Sequence, residues 1–153
     1  MSEDEKKILS LDETSPSVQA HLGIIQGVIQ RMATNSAACK TWCITIVSAI
    51  LVVVADKQNS NLVWVAVFPT VLFLALDTYY LALEKGFRNS YNSFIRKLHN
   101  GTMVAEDLYS IFPIGNQSRL QFDSFKSFSV WGFYLPLIIL AVVVKYLVIE
   151  KIA

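Results

Sequence analysis

Few side chains in this sequence have both the type and the setting to do chemistry. Asp77 is the foremost. The stretch "FLALDTYYLALEK", residues 73–85, places a carboxylate in what otherwise reads as a membrane-spanning helix. An ionisable group held inside a membrane bundle is by default a candidate for ion passage or gating. At the bilayer edge it is instead an interfacial anchor, neutralised by a cation on a neighbouring helix, and Lys40 is the candidate cation. Thr45, Ser48 and Thr70 lie in the same apolar runs and are candidates to line an ion path. Each such hydroxyl more often bonds to its own helix backbone.

The remaining reactive types lack partners. His21 and His99 have no serine, cysteine or acid motif beside them for nucleophilic catalysis. Arg96 and His99 share one helix face, a spacing that in principle serves nucleic-acid cleavage, but two residues at helical spacing commonly arise by chance. Cys39 and Cys43 sit four apart on one face, and two thiols with no histidine nearby make a poor metal site, so they read as packing residues. There is no glycine-rich phosphate loop and no cluster of metal ligands. The expectation is a protein that is not an enzyme, with no cofactor, no metal and no nucleic-acid partner.

The elements that would position Asp77 follow from composition. The chain has 153 residues, 54% hydrophobic and 16% charged, against roughly 25% charged in a soluble domain. The shortfall lies in three uncharged runs, within Thr41 to Ala55, Gln58 to Leu76 and Ser127 to Val144. A helix needs roughly 20 largely apolar residues to cross a bilayer. The second and third runs qualify directly, and Lys40 and Trp42 extend the first, the ammonium snorkelling and the ring at the headgroups. The fold class expected is an all-α membrane protein of three transmembrane helices, a tight hairpin plus a third span, with long cytoplasmic amphipathic extensions.

Ten of the thirteen Lys and Arg residues precede the first span or lie between the second and third. The positive-inside rule then puts the N-terminus and the long middle segment in the cytoplasm and the C-terminus outside. The turn "DKQNSN" is short enough to force an antiparallel hairpin. If Ala55 lies level with Leu62 across that turn, Asp77 faces Lys40, Trp42 faces Ala75, and Arg31 comes level with Gly86, close to Glu84.

Four segments result. Residues 1–16 are an acidic tail that reads as disordered. Residues 17–99 hold an amphipathic helix, the hairpin and a second cytoplasmic helix. Ser15 is the expected cap of the first helix with Pro16 in its first turn, and "HNG" is the expected stop of the second. Their apolar positions, 18, 22, 25, 28, 29 and 32 against 87, 91, 94, 95 and 98, suit mutual burial as a stalk or two helices flat on the inner leaflet. Gly23 and Gly27 would permit close helix contact. Residues 100–126 are a connector, with a short helix expected after Thr102 and a turn region over "SIFPIGNQSRLQF". Its Phe112, Phe122 and Phe125, with Phe128, Ile111 and Leu120, suit docking or packing on the inner leaflet. Residues 127–153 are the third span. Pro69 and Pro136 mark expected kinks, and Arg31, Lys85, Arg88, Arg96 and Lys97 a surface for lipid or a partner.

The stretches "VIQRMATNSAACKTW", leading into the first span, and "TYYLALEKGFRNSYNSFI", leaving the second, resemble those of SLATT-type small transmembrane effectors of bacterial nucleotide-signalling and anti-phage conflict systems. The likeness is one of architecture and residue character over about residues 20–99, and the third span at 128–149 departs from the two-span pattern. It implies a homo-oligomer in the bacterial inner membrane that perforates or depolarises it when a cytoplasmic protein or small nucleotide signals infection. It carries over no binding residues. The alternative is a non-conducting membrane anchor or scaffold for a cytoplasmic partner.

Overall fold

The computed structural model describes residues 12–152, with side chains as far as Val148. The expected tail, residues 1–16, therefore lies outside the described residues except for 12–16, of which 12–15 form a turn closed on Asp12 and Pro16 already begins the first helix. The Asp12 carboxylate accepts from the Thr14 amide at 3.0 Å and the Ser15 hydroxyl at 3.0 Å. Ser15 occupies the N-cap position with Pro16 at the first turn. Its hydroxyl is spent on Asp12, so it does not cap the helix by side chain.

Helix α1 runs Pro16–Lys57 and α2 runs Val67–His99. At 1.5 Å per residue the 42 residues of α1 reach about 63 Å, twice the roughly 30 Å hydrocarbon core. Half of α1 therefore extends beyond any span. The turn is tight, as expected, with Gln58 left-handed (φ 51°) and the Asn59 side chain accepting from the Asn61 amide at 3.1 Å. The chain then returns as a 3₁₀ helix, Ser60–Ala66, before α2 begins. Pro69 explains that junction. It falls in the first turn of α2, where its missing N–H is no loss, so it is an initiator of α-geometry and not the mid-span kink expected. Pro136 does lie inside α4, Phe128–Ile152, where it frees the Gly132 carbonyl.

"HNG" ends α2 as a Schellman motif. The Gly101 amide donates to Leu98 O at 3.1 Å, the Thr102 amide to Lys97 O at 3.0 Å, and Gly101 takes φ +63°. The connector corrects two expectations. After Thr102 there is only a 3₁₀ turn, Ala105–Asp107, closed by Asp107 accepting from the Val104 amide at 3.2 Å. The expected turn region instead contains α3, Gln117–Phe125, capped by the Asn116 side chain on the Arg119 amide at 3.1 Å. Proline and glycine at 113 and 115 hid an N-cap asparagine that starts a helix immediately after them.

The three long helices are each long and apolar enough to cross a membrane. Among the described residues there is no strand. Cys43, Val47, Leu51 and Val54 of α1 pack with Val130, Tyr134, Leu137 and Val148 of α4. Below them the stalk forms. The rings of His21 and Phe94 lie 4.3 Å apart, and Gln26 Nε2 reaches the Tyr91 hydroxyl at 3.5 Å. Val18 and Ile25 are fully buried there, each stabilising the pairing by about 1.5–3 kcal/mol. In the stalk half of α2 the buried residues are small (Ala82, Gly86, Ser90) together with Phe94. Gly86 and Ser90 seat the connector, whose Ile114 amide donates to Gly86 O at 3.0 Å while Asn89 Nδ2 donates to Ile114 O at 3.1 Å.

Candidate functional site: a buried ion pair between helices

Asp77 is fully buried on α2 and faces α1. Lys40 Nζ stands 2.6 Å from Oδ2 and 2.8 Å from Oδ1. Only the Oδ1 approach has hydrogen-bond direction, so Oδ2 has charge contact but no aligned donor. The Ser36 hydroxyl, one turn before Lys40, donates to Oδ1 at 2.5 Å. Helical spacing explains the convergence, because positions four apart on α1 share the face turned to α2. Burying a carboxylate is costly unless it has a counter-charge and hydrogen bonds, and Asp77 has both.

The ten steps of α2 from Val67 to Asp77 cover about 15 Å of helix, and the 3₁₀ stretch before them adds about 8 Å from Leu62 to Ala66, a sum shorter than a roughly 30 Å hydrocarbon core. Trp42, Tyr79, Tyr80, Phe125 and Trp131 cluster at this level, with Phe125 and Trp131 rings 5.3 Å apart and Tyr79 and Tyr80 rings 5.7 Å apart. Such rings suit the headgroup boundary. Tyr134 on α4 is fully buried, shares its electrostatic surroundings with Asp77, Cys39 and Cys43, and its hydroxyl has no partner among the described residues.

The three candidate path hydroxyls are not brought together. Thr45 and Ser48 lie on the exposed face of α1, and Thr45 Oγ1 donates to Thr41 O at 2.8 Å. With Thr41 they form a hydroxyl stripe at i, i+4 and i+7, pointing away from the chain's own bundle. Thr70 faces inward and donates to Ala66 O at 2.7 Å. Cys39 and Cys43 are both buried and unpaired thiols. No three His, Cys, Asp or Glu side chains group at a metal-sized site among the described residues.

The basic surface is partly consumed internally. Lys97 pairs with Asp107 at 2.6 Å, Arg88 with Glu84 at 2.7 Å, and Lys85 Nζ donates to Asp123 O at 3.3 Å. Arg31 does not pair with Glu84, which takes Arg88 one turn along its own helix instead. Arg31 and Arg96 are exposed. His99 Nε2 lies 3.3 Å from Glu13. Gly23 and Gly27 have nothing within 4 Å of an added Cβ, so they mediate no contact within the chain.

Two participants were not legible in sequence. Ser36 carries no signal beyond its spacing from Lys40. His21 is 1% exposed, and its Nδ1 accepts the Tyr109 amide at 2.8 Å across 88 positions. Tyr109 has φ +62°, uncommon for a side-chain-bearing residue, so the histidine holds an unfavourable turn of the connector against the stalk. Its place between Val18 and Ile25 on one helical stripe was the available signal. Burial pulls the His21 imidazole below its ordinary pKa, opposed by the nearby Asp107 carboxylate.

No family model matches this chain, and no curated protein or solved structure matches it significantly.

Proposed function

We propose that this chain is a bacterial inner-membrane effector that assembles with copies of itself into a gated pore, with the Lys40–Asp77 pair as gate. The N-terminus and residues 84–126 face the cytosol in this reading, where a protein or a small nucleotide supplies the trigger. The observation that carries it is the fully buried Asp77, held by Lys40 at 2.6 Å inside helices apolar enough to cross a bilayer. Charges so placed are rare in membrane helices and mark ion pathways or gates. Three helices per chain cannot enclose a water path, so conduction requires assembly. The outward stripe of Thr41, Thr45 and Ser48 supports it, since hydroxyls on a spanning helix suit a lumen or a neighbouring copy better than lipid. The SLATT-like architecture points the same way.

A second reading, a non-conducting scaffold, draws on Phe112, Phe122 and Phe128, which are exposed on and beside the connector. Proteoliposomes with a potential-sensitive dye separate the two. The pore reading expects dissipation by the wild type at a rate changed in both Lys40→Ala and Asp77→Asn. Equal rates in all three at equal incorporation remove the gate, and an impermeant wild type that retains a cytosolic protein favours the scaffold.

A further inference from the structure

At the end of the bundle remote from Asp77, a groove of about 320 Å³ opens between α4 and the 3₁₀–α2 junction. Val67 and Val71 form one wall, and Ile138 and Ala141 the other. Of the two hydroxyl-bearing residues lining it, Thr70 is already bonded to Ala66 O and Tyr146 stands beside Lys145, so the walls between them are apolar. The single charged residue lining it is Lys145. The Lys145 ammonium rests 4.7 Å from the Trp64 ring centroid and makes no ion pair among the described residues. Asp56, at the same end, lies 3.6 Å from Lys57.

We infer that this groove binds one acyl chain of an anionic phospholipid, with Lys145 on the headgroup phosphate. Length supports the assignment. The nine steps of α4 from Leu137 to Tyr146 cover about 14 Å, close to one leaflet of a roughly 30 Å core. Depth supports it as well. Lys145 lies about 26 Å along α4 from Phe128, which sets its ammonium, Trp64 and Tyr146 at the far headgroup boundary, where tryptophan and tyrosine concentrate. An apolar slot one leaflet deep, closed at its polar end by a cation with no ion pair among the described residues, complements a lipid tail under a phosphate. A second copy of the chain would have to bring its own acid to Lys145.

The site rests on the membrane reading above, and the test separates the two. Membranes containing the full chain are washed with alkaline carbonate. The protein is then purified in mild detergent and incubated with equal amounts of phosphatidylglycerol and phosphatidylcholine, and retained lipid is measured by native mass spectrometry. The expected result is an about fivefold preference for phosphatidylglycerol, the contribution of one interfacial lysine. Lys145→Gln abolishes the preference while lipid is still retained, and Ala141→Phe, which fills the groove, reduces retention of both lipids. Equal retention of the two lipids by the wild type overturns the site, as does an unchanged preference in Lys145→Gln. A dimer that Ala141→Phe dissociates also overturns it, by placing a second copy there. Release of the chain by carbonate removes the membrane reading itself, whereas a carbonate-resistant chain without lipid preference loses the lipid site alone.

Discussion

Replacing Lys40 with methionine keeps the apolar stem and deletes the charge, leaving the Asp77 carboxylate at 0% exposure with only the Ser36 hydroxyl. Removing one partner of a buried pair costs about 3–5 kcal/mol, mostly the penalty of an uncompensated charge. The opposite change is milder. Asp77→Leu leaves Lys40, whose side chain keeps 20% of its surface and can extend to the headgroups. Its cost is the lost charge-assisted hydrogen bonds, about 1–3 kcal/mol. The double variant Lys40→Met/Asp77→Leu removes both charges at once and is expected within about 1 kcal/mol of wild type. Denaturing-detergent titration of the purified chain in micelles, followed by helical circular dichroism, measures all three. A Lys40→Met loss under about 1 kcal/mol, or one no greater than that of Asp77→Leu, refutes the penalty assigned to an Asp77 carboxylate left buried without its counter-charge.

The connector latch is expected to be pH-sensitive. Because His21 is held below its ordinary 6.5, the unfolded chain binds the extra proton first. Its contribution is therefore complete above pH 6.5 and is lost as pH falls below that value. Protonated Nδ1 cannot accept from the Tyr109 amide, whereas Asp107, itself held below 3.8 chiefly by its hydrogen bond from Lys97, still bridges to α2. Hydrogen exchange corrected for intrinsic rates should show the Tyr109 amide opening between pH 7.5 and 5.5, and His21→Phe should erase that dependence. Gly86→Val should lift the connector off α2, because even an added Cβ stands 2.7 Å from Pro113 Cβ and 3.4 Å from its Cα. The cost is about 1–3 kcal/mol, read as faster proteolysis within residues 102–116. Gly23→Ala with Gly27→Ala should instead raise thermal stability by about 0.5–1 kcal/mol per site, and a lower midpoint would show that the glycines pack against another copy.

Much of the architecture was legible because its causes are local. Uncharged length set the three long helices, the shortness of the turn forced antiparallel pairing, and that pairing alone brought Lys40 to the level of Asp77. The left-handed glycine after His99 stops α2 for the same kind of reason. Other features depended on what packs where. Hydrophobic periodicity picks out large residues, but the seat for the connector is built from Gly86 and Ser90, whose value is that they are small. Pro69 reads as a kink until the 3₁₀ entry shows it in a first turn. The outward aim of Thr45 and Ser48, the inward aim of Thr70 and the His21–Tyr109 bond across 88 positions are rotational and long-range facts. Spacing along one helix states which residues share a face, and only packing against the other helices decides which way that face turns.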